Sequence, residues 1–557
     1  MIKAILFDLD DTLYDCTGSL VEVARRRAAR ALIGAGLQMS LEEAYSLQVK
    51  LQEAHGPRFN VFERIAENHG LDDSAIHLAL EAYHSDEVEG VKLFDDVEPT
   101  LKALREEGYK LALISTGVHN RQEKKVELLG LRAMFDHIEI NDSERGYLTQ
   151  QVFEHVLSSF GVRGDEAVVV GDRIYSELRI GKSYGMTTVQ MLHGRFRDLI
   201  PETNEEHPDY RISRISELTN VLHLADRQRN VGQPRVAAIG GGTGLPIVLT
   251  GMRRFTPNLT AIVTVTDSGR SSGKLRNELG ILPPGDIRNC LVALSESDKL
   301  MNDLFQYRFG EGVLEGMSFG NLLLAAMAKV TGNFETGLRE VSGILKIVGN
   351  VLPSTLTDTH ICARLGDGSV IEEEFNMRQL DKPAPIEEVF LRDEEVVPSE
   401  EAVGAIENAD LIVLGPGSLF TSVISNLLVP GIPEAIKASS AKKVYISNIV
   451  TQPGQTEGFT AADHVNTIER YLGADVLDTV IVNSYVPPDE IMAAYERDGA
   501  ALVLPDDDLR SRTRLRIIEE NLVEDIHSQR ILWEKQDLLR HDPTKLAFLL
   551  VRLLSVH

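Results

Sequence analysis

The chain opens on an apolar run, MIKAILF, that breaks directly into DLDDT, so aspartates stand at positions 8, 10 and 11. A short continuous apolar run bounded by polar turn residues reads as a strand buried on both faces, and such strands belong to parallel sheets. In an open parallel sheet, ligands gather outside the carboxyl ends of the strands. The opening stretch therefore constrains both the fold and the edge of the sheet at which chemistry belongs.

The alternation that a parallel sheet needs follows. Residues 19–90 are mostly helical in period, as in SLVEVARRRAARALIGAGL and SLEEAYSLQVKLQEAH. Strand signals return at KLALIST (110–116), FDHIEI (135–140), EAVVVGD (166–172) and MTTVQM (186–191), with helical stretches such as RQEKKVELLG and QQVFEHVLSSFG between them. HPDYRISRISELTNVLHL (207–224) closes the pattern. ADRQRNVGQP (225–234) is polar, lacks a period and ends in Gly and Pro, so it is taken as a linker. A second apolar strand, RVAAIGGG, begins at 235 and opens another α/β run to about 505. Residues 506–557 are charged and helix-like and are expected to form a closing helical element. A chain of 557 residues exceeds one hydrophobic core, in keeping with this division.

The formal net charge of −27 argues against a general nucleic-acid or membrane-surface binder, since both need a basic face. It leaves room for a local basic pocket that takes a phosphorylated small molecule. Cys16, Cys290 and Cys362 are far apart and show no metal or disulfide spacing, which fits free thiols in a reducing compartment. No signal peptide and no apolar run of membrane-spanning length is seen, and a cytoplasmic protein is expected. The assembly state is left open, a homo-oligomer included.

In the first half, three strand-end loops carry the chemistry: Asp8 with Asp10, then Ser115-Thr116-Gly117, then Gly171-Asp172-Arg173 with Glu177. Carboxylates, a short hydroxyl and backbone amides converging on one edge suit phosphoryl transfer. One carboxylate attacks phosphorus, another moves the proton of the leaving oxygen, and further carboxylates bind Mg²⁺. Residues 1–224 resemble the haloacid-dehalogenase-like (HAD) hydrolases, through DLDDT, Ser115-Thr116 and GDRIYSE. The resemblance implies Asp8 as nucleophile and Asp10 as general acid/base. It implies phosphate held by Ser115 and Thr116, Mg²⁺ held by Asp8, Asp10, Asp172 and Glu177, and a helical cap at about 15–90 that sets substrate choice. Many relatives place a phosphate-binding lysine in a Lys-Pro pair between the second and fourth motifs. Here ERGYLTQQVFEHVL has none, and Lys124 or Lys125 is the substitute within reach.

In the second half, RVAAIGGGTGLPIVLTGMRRF is strand, glycine loop and helix, with Gly240, Gly241, Gly242 and Gly244 letting backbone approach a ligand. It is neither the GxGxxG fingerprint, since Leu245 takes the last glycine position, nor a P-loop. Further strand ends add Asp267, Ser271 and Ser272, then Asp286, Arg288 and Asn289, then Asn321. Later ones add Gly415, Gly417, Ser418 and Thr421, then Asn448, Thr451, Gln452 and Glu457. Singly, Asn321 reads as a cap, Arg288 as a surface ion pair and Asp267 as a turn former. Together, small polar residues at several strand ends suit a diphosphate and a sugar, with Arg288 able to grip phosphate oxygens in pairs.

Residues 235–505 resemble the gluconeogenesis factor (YvcK-like) family and its relatives, the 2-phospho-L-lactate transferases. The matching stretches include IGGGTGLP, SSGKLR, LPPGDIRNCLVALS, GNLLLAAM, GPGSLFTS and TQPGQTEGFTAADHV. The resemblance implies a Rossmann-like domain that binds a UDP-sugar such as UDP-N-acetylglucosamine, with a role in carbon metabolism and cell shape. Its contacts would be Gly241, Gly242, Thr243, Gly244, Asp267, Ser271, Ser272, Asp286, Arg288, Asn289, Asn321, Gly415, Gly417, Ser418, Asn448 and Gln452. Relatives read Asp-Asp-Gly-Gly-Ser-Ser-Gly where this chain has Asp-Ser-Gly-Arg-Ser-Ser-Gly (267–273), which favours binding over transfer.

The expectation is thus an α/β chain of two Rossmann-like parallel-sheet domains. A UDP-sugar-binding regulator is fused to a Mg²⁺-dependent phosphatase of a small phosphorylated metabolite. The rival is a transferase that moves a phospho-hydroxyacid group from a nucleotide donor, with Mg²⁺ at Asp267. A scaffold with two inactive sites is the third reading.

Overall fold

The computed structural model describes residues 1–55, 59–83, 88, 90–141, 150–197, 199, 201, 203–231, 233–297, 299–377, 384–524 and 539–555. The chain divides into two compact units, Met1–Arg229 and Asn230–His557.

The first unit is built on strands β1 (Ala4–Phe7), β2 (Lys110–Thr116), β3 (His137–Asn141), β4 (Ala167–Gly171), β5 (Thr187–Met191) and β6 (Tyr210–Ile212). They pair in the order β3-β2-β1-β4-β5-β6, and every pair is parallel. All four residues of β1 are fully buried, as a strand covered on both faces requires. Burial of each large apolar side chain contributes about 1.5–3 kcal/mol. Between β1 and β2 lie the helices Glu22–Gly34, Leu41–His55, Val61–His69 and Asp73–Tyr83. They share a core of their own around Ala28, Leu32, Phe62, Ile65 and Ala79, so the insert is a helical layer with independent packing.

The second unit carries β7 (Val236–Gly240), β8 (Leu259–Val263) and β9 (Asn350–Pro353), and a small antiparallel sheet of β10 (Ile361–Leu365), β11 (Val370–Glu372) and β12 (Ile386–Leu391). It continues with β13 (Leu411–Leu414), β14 (Lys442–Ile446), β15 (Thr479–Asn483) and β16 (Arg516–Glu520). The main sheet is parallel, in the order β16-β15-β14-β13-β7-β8-β9.

The division falls within the expected 225–234, but two segments differ in secondary structure from the sequence expectation. Helix Leu218–Val231 runs through most of the segment expected to be an aperiodic linker. Its first half anchors on buried Leu218, Val221, Leu222 and Leu224, and the polar ADRQRN that follows consists of residues a helix tolerates. The closing element is not all helical either. Residues 516–520 add β16 at the sheet edge, beside the helices Asp507–Arg510 and Pro543–Ser555. An edge strand with charged ends and only two apolar residues, RIIEE, gives a weak apolar signal. The three cysteines are free and buried. Among the described residues, no single helix is long and apolar enough to cross a membrane.

Candidate functional site

Each parallel sheet reverses its winding once. In the first, β2 and β4 flank β1 on opposite sides, so the loops after β1 and β4 open at a topological switch point. Asp8 leaves β1 there, its N–H donated to the Val170 carbonyl (2.8 Å), and Asp172 leaves β4. The ligand oxygens of Asp8, Asp172 and Glu177 lie within 4.8 Å of one another, and all three residues are buried. Glu177 is drawn in by a hydrogen bond from the Arg173 N–H (2.7 Å), and Gly171 leaves it space, since a Cβ there would stand 2.5 Å from Glu177 Oε1.

Three buried carboxylates side by side repel. Burial, with Glu177 and Asp10 against the opposing charge of Arg173, pushes the Asp8 carboxyl well above the usual range. Burial does the same to Asp172, and it raises Glu177. Among the described residues, Asp8 Oδ2 and both Asp172 carboxylate oxygens have no hydrogen-bond partner. Buried carboxylate oxygens without donors suit a hard divalent cation with oxygen ligands, so the residues present fit Mg²⁺.

Asp10 is not in this group. Its carboxylate accepts from Lys125 Nζ at 2.7 and 2.8 Å, from the Tyr14 hydroxyl at 2.6 Å and from Gln122 Nε2 at 3.4 Å. Burial opposes ionisation of Asp10, yet the charge and hydrogen bond of Lys125 and the Tyr14 hydroxyl hold it far below the usual carboxylate range. The Asp10 carboxylate, expected among the Mg²⁺-binding residues, lies in an ion pair with Lys125, apart from the group formed by Asp8, Asp172 and Glu177. Of the two candidate lysines, Lys125 is buried and reaches the site, and Lys124 is exposed. Ser115 is buried at the end of β2. Thr116 turns its hydroxyl to the Asn141 carbonyl (3.3 Å), and its own carbonyl accepts from Gln122. Sequence reasoning missed Tyr14 and Gln122. Gln122 shares a buried helical stripe with Lys125 and Val126, and that three-to-four spacing was the available signal.

In the second unit the switch point lies between β7 and β13. The glycine loop after β7 meets the loop after β13: a Cβ at Gly244 would collide with the Pro416 carbonyl, and one at Gly417 would stand 3.2 Å from Ser422 Cβ. Gly417 also has φ 153°, in the region that favours glycine, and Gly415 has φ 75°. Asn448 Oδ1 accepts from the Gly417 N–H at 3.2 Å. Asn426, not foreseen, ties the arrangement together by donating to the Gly240 (3.0 Å) and Ser422 (2.7 Å) carbonyls.

The Gly242 N–H, expected to face a phosphate, donates instead to Asp286 Oδ2 at 2.6 Å. A Cβ at Gly241 would meet the same oxygen at 2.6 Å. Asp267 accepts from the Gly269 N–H (2.8 Å), and its other oxygen lies 3.1 Å from where a Gly285 Cβ would stand, beside Ser272. Arg288 is 5% exposed and is not a surface ion pair. Its guanidinium donates to Ser318 Oγ and to Asn289 Oδ1 (2.8 Å), and its Nε has no partner among the described residues. Burial and the charge of Arg308 pull its pKa down to about 10, against Asp286 and Asp267. Asn321 is buried one turn inside helix Phe319–Thr331, whose cap is Ser318. Thr243 is exposed, Ser418 caps the helical turn Leu419–Ile424, and Gln452 sits in a turn closed by Thr456 Oγ1 (2.8 Å). The side chain of Ser271 lies outside the described residues, as does that of Arg270. Ser268 Oγ accepts from the Phe375 N–H at 3.1 Å.

Fold and site define the class: a hydrolase-type domain followed by a transferase-family α/β domain. Residues 2–185 match the haloacid dehalogenase-like hydrolases, and residues 236–523 match the family described as 2-phospho-L-lactate transferase CofD. Within that class, the chain belongs to the gluconeogenesis factor family. It is 45% identical over 324 residues to the gluconeogenesis factor of Bacillus subtilis (strain 168), across 58% of this chain and 99% of that protein. It is 43% identical over 313 residues to the gluconeogenesis factor of Halalkalibacterium halodurans, across 56% of this chain and 94% of that one. A crystal structure of a upf0052 family member from Bacillus halodurans superposes with a TM-score of 0.53 at 42% identity, covering 57% of this chain and 98% of that one.

Proposed function

We propose that the first unit is a Mg²⁺-dependent phosphatase of a small phosphorylated metabolite and that the second binds a nucleotide-diphosphate sugar, UDP-N-acetylglucosamine being the type compound. Together they would make a regulator of carbon metabolism and cell morphogenesis. The observation that carries the phosphatase reading is the convergence of Asp8, Asp172 and Glu177 with donor-free carboxylate oxygens.

The residues divide the work as follows. A Mg²⁺ held by Asp8, Asp172 and Glu177 supplies charge neutralisation between these carboxylates and the phosphoryl oxygens. Ser115 and the amides that follow β2 hold the phosphoryl group. An Asp8 oxygen attacks phosphorus, and the bond to the leaving alkoxide breaks. That alkoxide takes a proton from the Lys125–Asp10 pair. Water then attacks the acyl phosphate and gives its proton back to the pair, which releases phosphate and restores Asp8. The ionised state of Asp10 suits the second, base-assisted half. The test is hydrolysis of a panel of sugar phosphates and an aryl phosphate by the full chain, with and without Mg²⁺. Hydrolysis that ignores Mg²⁺, or none on any ester, would contradict the reading.

For the second unit, a buried guanidinium whose Nε has no partner among the described residues, on the helix that brings Asp286 to the Gly242 N–H, supports phosphate recognition. Calorimetric titration of UDP-N-acetylglucosamine tests it. The transferase reading keeps support from the family match over residues 236–523. Against it, Asp267 and Asp286 are each engaged by a backbone N–H. Turnover of a nucleotide donor would decide in its favour.

A further inference from the structure

The first unit holds a second group of metal-type ligands on its sheet edge, at strand β3. His137 and Glu139 stand two residues apart on β3, so their side chains leave the same face of the strand. Helix Gln150–Phe160, which packs against β3, brings His155 to that face. Glu139 Oε2 lies 3.0 Å from His137 Nε2 and 3.1 Å from His155 Nδ1. The two imidazole rings are nearly perpendicular, at 84° with centroids 5.4 Å apart, and Phe160 packs its ring edge-on against His137.

We propose that His137, Glu139 and His155 bind one divalent transition ion, Zn²⁺ by ligand type. Two imidazoles and one carboxylate, with a fourth position open to solvent, make an established zinc ligand set. With zinc–ligand bonds of roughly 2.0–2.1 Å, the ligand atoms of a tetrahedral site stand about 3.3 Å apart. The two separations here are close to that value, so the ion enters with small side-chain shifts. His155 is 62% exposed, which gives the ion a path from solvent. The ion would tie strand β3 to the helix that follows it. This set is distinct in chemistry from the all-oxygen group at Asp8, which suits Mg²⁺.

The competing account is that Glu139 simply accepts two imidazole N–H bonds. Titration of the metal-stripped full chain with Co²⁺, a spectroscopic stand-in for Zn²⁺, separates the two. A four-coordinate site with imidazole ligands gives strong visible d–d absorption, whereas an all-oxygen six-coordinate ion at Asp8 absorbs weakly. The expected result is a strong band that saturates at one equivalent and is displaced by Zn²⁺. His155→Ala, at an exposed position, and Glu139→Gln should each weaken Zn²⁺ binding at least roughly tenfold. Absence of the strong band in the wild type, or an unchanged band in both variants, would overturn the proposal. Neither result bears on phosphatase activity.

Discussion

Lys125 places its ammonium 2.7 and 2.8 Å from the two carboxylate oxygens of Asp10, and the lysine is almost fully enclosed. The pair fixes the protonation state of the second aspartate of the first strand-end loop. It also supplies the cation that the stretch ERGYLTQQVFEHVL lacks.

Removing one member of a buried ion pair leaves the other uncompensated. Lys125→Met should cost about 3–5 kcal/mol of stability and lower phosphatase turnover roughly a hundredfold or more. Denaturant unfolding and steady-state kinetics check this. The double variant Lys125→Met/Asp10→Asn should recover stability without recovering activity.

The carboxyls of Asp8, Asp172 and Glu177 are raised above their ordinary values of 3.8, 3.8 and 4.5. A raised folded-state value means that the metal-free fold binds protons which the unfolded chain has already lost. The contribution is therefore favourable at low pH and declines as pH rises through the raised values. Mg²⁺ must displace those protons, so its stabilising effect should grow as pH rises above the ordinary carboxyl values of 3.8 to 4.5. Thermal unfolding with and without Mg²⁺ measures it, and Asp172→Asn should flatten the trend.

Arg288 reaches Ser318 and Asn289 with two of its nitrogens, and its Nε has no partner among the described residues. Arg288→Ala should weaken UDP-N-acetylglucosamine binding by about 1.5–3 kcal/mol, the value of a hydrogen bond to a charged group. Arg288→Lys should not restore it, because a lysine lacks the planar fork. Calorimetry on the full chain reads both.

His541 is buried with Nε2 3.1 Å from the Ser447 carbonyl, and burial lowers its pKa from 6.5 to about 4. Its contribution is intact above pH 6.5 and is lost as pH falls towards 4, because only the unfolded chain takes up the proton. The loss amounts to about 3 kcal/mol. His541→Gln should remove that part of the acid destabilisation, seen as the difference between wild-type and variant stability over this range.

Much of the first site was legible because strand ends follow one another in order. MIKAILF runs directly into Asp8, KLALIST carries Ser115 next to its end and EAVVVGD ends in Asp172, and the sheet order carries them to one edge. The choice between Lys124 and Lys125 depended on helix phase, which Val126 and Leu129 set. The turning of Asp10 away from the other carboxylates was not legible, because it depends on that lysine. In the second unit the glycine loops were readable as loops, but the Asp286–Gly242 contact spans 44 residues and has no local signature. Strand β16 escaped notice because an edge strand buries little. The polar end of helix Leu218–Val231 looked like a linker because polarity alone does not separate the two.

The central claim is that Asp8 accepts a phosphoryl group beside a divalent cation. Its most direct test is acid-quenched turnover of an aryl phosphate by the full chain in Mg²⁺, with mass-spectrometric mapping of the modified peptide. The account predicts a phosphoryl group on the peptide that carries Asp8, and neither label nor hydrolysis in Asp8→Asn. Hydrolysis by Asp8→Asn at the wild-type rate would contradict it.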